Sequence, residues 1–297
     1  MTIFEAILLG VIQGVFMFFP VSSTSHLVLV QHWLIDHRGS ALPGPESAEM
    51  VFFDLLVHVG TLLSIAVVFR KSLTRYLLGL RDDVAAFLSS RGRGLGGGGG
   101  LLQLRLTLLG LFSVFVTGVV GLALKDVFEQ AFAHPLAVAG TLALTGVLLY
   151  FTDSVGRRPR GLKQLTIYVA LVIGLAQAFA LVPGFSRSGL TIAFALFVGL
   201  KRRWAAEYSF FIAFPTILAA TAVQGLSLWR SGEPMTLTVA PMLVGTLVAA
   251  GVGILALYLV LHLLYRARFR YFAYYVWLLA AVVATMSLTG WGATVQH

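Results

Sequence analysis

Long apolar runs, repeated from one end of the chain to the other, most constrain its fold. They cover residues 3–19, 27–35, 50–69, 101–124, 135–151, 165–182, 190–200, 205–229, 237–262 and 271–290. A membrane-spanning helix needs about 20 predominantly apolar residues. Backbone polar groups in lipid must be satisfied within the segment, so such spans are helices. The sequence therefore predicts an all-α polytopic membrane protein, with residues 1–297 as a single integral membrane domain.

Charge is scarce and unevenly placed. Only 11% of the residues are charged and the net charge is +9, whereas a soluble domain has about 25% charged residues. Most basic residues fall in loops between the apolar runs, in the stretches 70–105, 157–163, 201–203 and 266–270. Loops rich in Lys and Arg face the cytoplasm, so the charge indicates topology, and we predict no nucleic-acid partner. The chain has no cysteine, which excludes thiol catalysis and cysteine-bound zinc.

Two runs, 27–35 and 190–200, are too short to span a membrane. Residues 165–200 start after one basic loop and end at another, so they must cross the membrane an even number of times. A helix, a polar tip and a short helix that enter from the cytoplasm satisfy this condition. Residues 3–35 have the same form and are expected to enter from outside. The sequence thus predicts six transmembrane helices plus two re-entrant helical hairpins.

The two halves of the chain have matching patterns. Gln13 and Gln177 are separated by the same number of residues as Ser22 and Ser186. Because the two hairpins enter from opposite sides, this pattern predicts an inverted-topology repeat with broken helices that meet inside the membrane. Repeat 1 covers about residues 1–152 and repeat 2 about residues 164–291. The Gly-rich stretch 89–100 is predicted to be a flexible cytoplasmic linker.

The tip of the second hairpin combines a cation with hydroxyls and glycines. Arg187 presents a planar fork suited to phosphate oxygens, and a helix that restarts beside it offers free N–H groups to an anion. The same tip supplies five further candidate substrate-binding residues: Gly184, Ser186, Ser188, Gly189 and Thr191. The alternative is that Arg187 only pairs with a membrane carboxylate, Glu207 or Asp54.

The tip of the first hairpin contains a candidate nucleophile. Ser23 and His26 are three residues apart and share a face once the helix has started. A serine beside a histidine is the basic arrangement of an activated nucleophile, and Ser22 and Thr24 are candidate substrate-binding hydroxyls. The alternative is that these residues only cap a helix. The predicted anion-binding tip of the second hairpin favours the catalytic interpretation of Ser23 and His26 over the capping one.

Few other polar residues lie in the apolar runs. Gln13, which we expect to bind substrate, and Gln177 precede the two tips, and Asp54 lies four residues before His58. Ionisable groups in a membrane are functional candidates, so Asp54, Gln177 and Glu207 are possible supporting residues. Glu207 is also close enough to the basic residues 201–203 to form a plain interfacial ion pair.

These motifs resemble the bacterial undecaprenyl-diphosphate phosphatases, the bacitracin-resistance family. The resemblance covers nearly the whole chain and is strongest at Pro20–His26 and Pro183–Thr191. It implies an enzyme of the bacterial inner membrane that hydrolyses an isoprenyl diphosphate lipid at a site opening to the periplasm, which recycles the carrier of cell-wall synthesis. It also implies Ser23 as nucleophile, His26 as acid/base and Arg187 as diphosphate clamp. Whether the chain forms a homodimer is left open.

Met17 departs from the family pattern. The family has a glutamate here, considered essential for binding metal or for assisting the nucleophile, and a thioether is a poor ligand for a hard divalent cation. The Mg²⁺ or Ca²⁺ implied by the resemblance is therefore in question. The departure leaves two alternatives to an active phosphatase: a polyprenyl-phosphate transporter, whose architecture inverted repeats also suit, and a catalytically impaired variant.

Overall fold

The computed structural model describes residues 1–38, 42–44, 47–89, 101–124, 127, 135–156, 158–231 and 236–288. Across these ranges the chain is built from helices, with a short 3₁₀ turn at Leu162–Gln164 and one isolated bridge between Arg160 and Leu200. The helices are α1 (Ile3–Phe16), α2 (Ser23–Arg38), α3 (Ala48–Val68), α4 (Arg70–Ser89), α5 (Leu102–Ala123), α6 (Pro135–Ser154), α7 (Ile167–Phe179), α8 (Arg187–Phe197), α9 (Arg202–Ser231), α10 (Val239–Tyr265) and α11 (Arg270–Leu288).

Six of the described helices are long and apolar enough to cross a membrane. They are α3, α5, α6, α9, α10 and α11, which confirms the prediction of an all-helical protein with six spans. Helices α1, α7 and α8 are apolar but shorter. Pro215 lies inside α9, where it removes a backbone donor from the helix.

The prediction for residues 70–89 was wrong. We expected part of a basic loop, but these residues form helix α4, none of whose residues is buried. Its apolar and charged residues alternate with a helical period, a pattern that the high charge obscured. The predicted flexible linker 89–100 lies outside the described residues except for Ser89.

Each predicted hairpin is a pair of helices in contact. Helix α1 packs against α2, and α7 packs against α8. In the rest of the bundle, α1 lies along α10, α7 lies along α5, and α6 lies along α11. An exchange of the two halves would reproduce this pattern. The inverted-topology repeat, the bounds of its two halves and the entry of the hairpins into a membrane stay predictions.

Glycines at matching positions let each hairpin approach its neighbour closely. A Cβ added to Gly10 of α1 would lie 2.5 Å from the carbonyl oxygen of Gly245 in α10. A Cβ added to Gly174 of α7 would lie 2.7 Å from the carbonyl oxygen of Ser113 in α5. Real Cβ atoms do not fit at such distances, so both helix pairs pack backbone to backbone.

Candidate active site

The second tip is a tight turn held against α6. Gly184 has φ +86°, a left-handed conformation that glycine adopts without strain. A Cβ there would also collide with the Thr141 hydroxyl and the Val138 carbonyl. The Thr141 hydroxyl oxygen lies 2.5 Å from the carbonyl oxygen of Pro183. The turn is therefore fixed by packing and by a hydrogen bond before any substrate arrives.

Helix α8 restarts directly after this turn. The Ser186 hydroxyl caps it by accepting a hydrogen bond from the Gly189 N–H at 3.1 Å. Thr191 is fully buried, with its hydroxyl 2.8 Å from the Arg187 carbonyl and 2.5 Å from the Ser209 hydroxyl. Ser186 and Thr191, both predicted to bind substrate, thus also stabilise the tip itself.

The second tip meets the first. The Ser188 hydroxyl lies 3.5 Å from the Phe18 carbonyl oxygen, and a Cβ on Gly189 would lie 3.1 Å from the Cβ of Pro20. The predicted convergence of the two tips is therefore present in the fold.

Arg187 lies at this junction with a free donor. Its Nη2 is 3.8 Å from the Met17 sulfur, which is a weak acceptor. Its Nη1 is buried and has no hydrogen-bond partner among the described residues. No carboxylate of those residues forms an ion pair with it. Arg187 as a whole is half-buried, and a buried N–H group without a partner favours an anionic or polar ligand.

The predicted ion-pair alternatives for Arg187 are not formed. Glu207 pairs with Arg203 at 2.9 Å, which is the plain interfacial pair considered from the sequence. Asp54 instead accepts a hydrogen bond from Gln31 Nε2 at 2.9 Å. Neither carboxylate neutralises Arg187, so its charge remains available to a ligand.

The first tip is held by aromatic contacts and has a strained backbone. Phe18 packs on Phe210 of α9 with ring centroids 5.7 Å apart, and Phe19 packs on Phe272 of α11 at 5.1 Å. Ser22 has φ +66°, and a left-handed conformation at a residue other than glycine costs about 1–3 kcal/mol. Such strain is common at functional sites.

Ser23 is the first residue of α2 and is half-buried. Its hydroxyl has no hydrogen-bond partner among the described residues, whereas the neighbouring Ser22 hydroxyl bonds to Ser25 at 2.9 Å. Thr24 is exposed. The hydroxyls of Ser23 and Thr24 are therefore both unbonded among the described residues, whereas that of Ser22 is engaged.

His26 does not bond to Ser23, contrary to the predicted pairing. Its Nδ1 lies 2.8 Å from the Ser22 carbonyl oxygen, and its Nε2 lies 2.7 Å from the Tyr275 hydroxyl. Because a carbonyl only accepts, Nδ1 carries the proton, and Nε2 of the neutral ring accepts from Tyr275. The ring also stacks on Phe16 with centroids 3.8 Å apart. Sequence reasoning missed Tyr275 because no local motif marks it.

The two matching glutamines have different surroundings. Gln177 Nε2 donates to Thr117 at 3.2 Å and to Thr216 at 3.0 Å. Gln13 is fully buried, yet neither its amide nitrogen nor its amide oxygen has a partner among the described residues. Gln13 lies in α1, one helical turn before Met17, the residue that ends the helix and contacts Arg187. Its amide is thus a second unused polar group near the junction.

The residues at the junction do not fit a divalent cation. Among the described residues, no group of three or more His, Asp or Glu side chains could hold a metal ion. Mg²⁺ and Ca²⁺ prefer carboxylate and carbonyl oxygens, and the position beside Arg187 holds the Met17 thioether. The Asp54 carboxylate already accepts a hydrogen bond from Gln31, and the backbone carbonyl oxygen of Asp54 lies 2.6 Å from His58 Nδ1. The site therefore resembles an anion-binding site built from neutral donors and one arginine.

Six apolar helices long enough to cross a membrane define the class of this protein as a multi-pass membrane protein, and a half-buried arginine lies where its two helical hairpins meet. The chain matches the family described as Bacitracin resistance protein BacA over residues 6–282, and it belongs to that family.

Curated relatives cover nearly its whole length. An undecaprenyl-diphosphatase of Alkalilimnicola ehrlichii is 58% identical over 286 residues, which are 96% of this chain and 97% of the relative. An undecaprenyl-diphosphatase of Halorhodospira halophila is 53% identical over 292 residues, 98% of each chain. One of Rubrobacter xylanophilus is 38% identical over 289 residues, 96% of this chain and 98% of the relative.

Proposed function

We infer that this protein is a membrane phosphatase that hydrolyses undecaprenyl diphosphate to undecaprenyl phosphate and phosphate. Relatives more than half identical over nearly the full length are named undecaprenyl-diphosphatase. The structural observation that supports this best is Arg187, whose buried Nη1 has no partner among the described residues. A diphosphate supplies the oxygens that such a group requires. The transporter considered from the sequence receives no support from the relatives' names.

The second hairpin holds the diphosphate. Arg187 donates to its oxygens, and the free N–H groups at the start of α8 add a partial positive charge. Ser188, whose contact with Phe18 is long at 3.5 Å, is the hydroxyl most easily redirected toward substrate. Phosphoryl transfer depends mainly on such positioning and on neutralisation of charge.

The first hairpin performs the reaction. The Ser23 hydroxyl oxygen bonds to the terminal phosphorus, and the bond between that phosphorus and the bridging oxygen breaks, which releases undecaprenyl phosphate. Water then attacks the phosphoserine and releases phosphate, which restores the Ser23 hydroxyl.

His26 serves as the acid/base through its Nε2, because Nδ1 already carries a proton. In the resting structure Nε2 accepts from Tyr275. The proton of Ser23 therefore reaches it after that contact opens, or by transfer through the tyrosine hydroxyl. Tyr275 is thus a positioning residue for His26.

We place this reaction in the bacterial inner membrane with the site open to the periplasm. The support is the distribution of basic residues, which assigns the loop between α6 and α7 and the start of α9 to the cytoplasm. The product, undecaprenyl phosphate, then returns to cell-wall synthesis.

Phosphate release from undecaprenyl diphosphate by the purified protein in lipid vesicles tests this function. The wild type should release phosphate and Ser23→Ala should not. Ser227→Ala removes an exposed serine hydroxyl from α9 and should match the wild type. A wild-type protein that releases no phosphate would refute the proposed function.

A further inference from the structure

Helix α4 presents an outer surface that the proposed phosphatase activity does not use. It follows α3 after a single residue, Phe69, so it begins where a span ends. Its inner face is fixed to α5, since Asp83 accepts from the backbone N–H groups of Gln103 at 2.6 Å and Leu104 at 3.0 Å. Tyr76 adds a hydrogen bond to Thr107. The opposite face of α4 is exposed.

One edge of this exposed face is apolar. Leu77, Val84 and Leu88 are 53%, 37% and 72% exposed, and spacings of seven and four residues put them on one line along a helix. Lys71, Arg75 and Asp82 occupy the other edge of the same face. A helix with an apolar edge and a basic edge, attached to the end of a span, suits the plane of a membrane interface.

The basic part of α4 has no internal counter-charge. Arg70, Lys71, Thr74 and Arg75 line an open cleft of about 650 Å³. Arg70 donates to the Val67 carbonyl at 3.2 Å and Arg75 donates to the Lys71 carbonyl at 3.1 Å. No carboxylate in the described part of the chain forms an ion pair with any of these cations. An anionic headgroup would balance them.

We propose that α4 binds anionic phospholipids of the cytoplasmic leaflet. We call Arg70, Lys71, Arg75, Leu77, Val84 and Leu88 the α4 surface. Its three cations take the headgroup phosphate, and its three apolar side chains enter the adjoining acyl region. The side of the membrane follows from the basic residues, which assign the end of α3 to the cytoplasm. The site is separate from the hairpin junction.

Single-cysteine spin labels test the placement of α4, because the chain has no cysteine of its own. Leu77→Cys, Leu88→Cys and Asp82→Cys are labelled in the full-length protein in phosphatidylcholine–phosphatidylglycerol vesicles. The labels at 77 and 88 should collide with oxygen, which concentrates in lipid. The label at 82 should collide with a water-soluble nickel chelate. If all three labels collide mainly with the nickel chelate, α4 projects into water and the proposal fails. Such a result would suit a helix that binds a soluble protein.

Spin-labelled phosphatidylglycerol tests the headgroup site. The wild type should immobilise it in preference to spin-labelled phosphatidylcholine. The triple variant Arg70→Gln/Lys71→Gln/Arg75→Gln should lose at least about fivefold of this preference, the effect of one basic residue near an anionic surface. The control Lys201→Gln/Arg266→Gln/Arg268→Gln removes the same charge from exposed cations elsewhere on the predicted cytoplasmic side and should keep the preference.

Two results of the lipid experiment would overturn the proposal. One is the absence of any phosphatidylglycerol preference in the wild type. The other is an equal loss of the phosphatidylglycerol preference in the triple variant and the control, which would show that the preference depends only on net charge. Neither measurement uses turnover, so failure here is distinct from failure of the proposed phosphatase function.

Discussion

The two hairpins share a scaffold but differ in how their polar groups are satisfied. In the second hairpin, Gln177 donates to two threonines, Ser186 caps α8 and Thr191 bonds to Ser209. In the first, the fully buried Gln13 amide has no partner among the described residues and Ser22 has a strained backbone. Unpaired buried polar groups and strain both destabilise a fold.

We interpret this difference as a division of tasks between the two hairpins. In the second hairpin most polar groups are hydrogen-bonded, and the Arg187 Nη1 and the Gln177 amide oxygen are the buried atoms without a partner among the described residues. Of these two groups, only Arg187 carries a charge that suits an anion. The first hairpin keeps several groups unsatisfied or strained, as expected where chemistry takes place. Substitutions of single residues in each hairpin test this interpretation.

The largest effect is expected at Arg187. Arg187→Ala should reduce kcat/KM for undecaprenyl diphosphate by about 10³-fold, because the arginine neutralises charge that develops in phosphoryl transfer. The protein should still fold, since no ion pair with a described residue is lost. Phosphate release is the measurement, with Arg203→Ala as the control arginine. Near-normal activity in Arg187→Ala would show that the second hairpin does not hold the diphosphate.

Met17 offers the next largest effect. Met17→Glu puts a carboxylate near Arg187 and Gln13, which supplies the oxygen ligand that a divalent cation needs. Phosphate release should rise about tenfold with added Mg²⁺ or Ca²⁺, and a chelator should remove the increase. Met17→Gln has the same length without the charge and should show no increase. Loss of wild-type activity on chelation would show that the natural site holds a metal without a carboxylate at position 17.

Tyr275 tests the arrangement of the catalytic histidine. Tyr275→Phe removes the hydrogen bond to His26 Nε2 and should lower kcat about fivefold, the effect of one neutral hydrogen bond, with KM unchanged. Tyr274→Phe is the matched control, because Tyr274 contacts Tyr150 and Trp277 instead. Equal kinetics in the two variants would remove Tyr275 from the mechanism.

The smallest effect compares the matching glutamines directly. Gln177→Leu should destabilise the protein by about 1 kcal/mol or more, because it breaks hydrogen bonds to Thr117 and Thr216. Gln13→Leu should leave stability unchanged or raise it, because it removes an unpaired buried amide, while it lowers phosphate release. Thermal unfolding in detergent measures both. Equal destabilisation by the two substitutions would contradict the division of tasks.

Much of this architecture can be predicted from the sequence, for local reasons. Runs of apolar residues predict the six spans. Pro183 and Gly184 predict the second tip, because proline ends a helix and glycine allows a tight turn. The resemblance of Pro20–His26 to a known family indicated the reacting tip. The features that the sequence did not predict depend on contacts between distant residues or were obscured by a high density of charge. The bond from Tyr275 to His26 joins residues far apart in sequence, and the charges of α4 hid its amphipathic pattern.

The identity of the phosphorylated residue shows which hairpin carries the nucleophile. Wild-type protein is mixed with undecaprenyl diphosphate labelled in its terminal phosphate, quenched in acid during turnover, and analysed by peptide mass spectrometry. We predict the label on Ser23 of the first hairpin, absent in Ser23→Ala and in Arg187→Ala. Label on Ser186 or Ser188 of the second hairpin, or turnover with no labelled residue, would contradict the account.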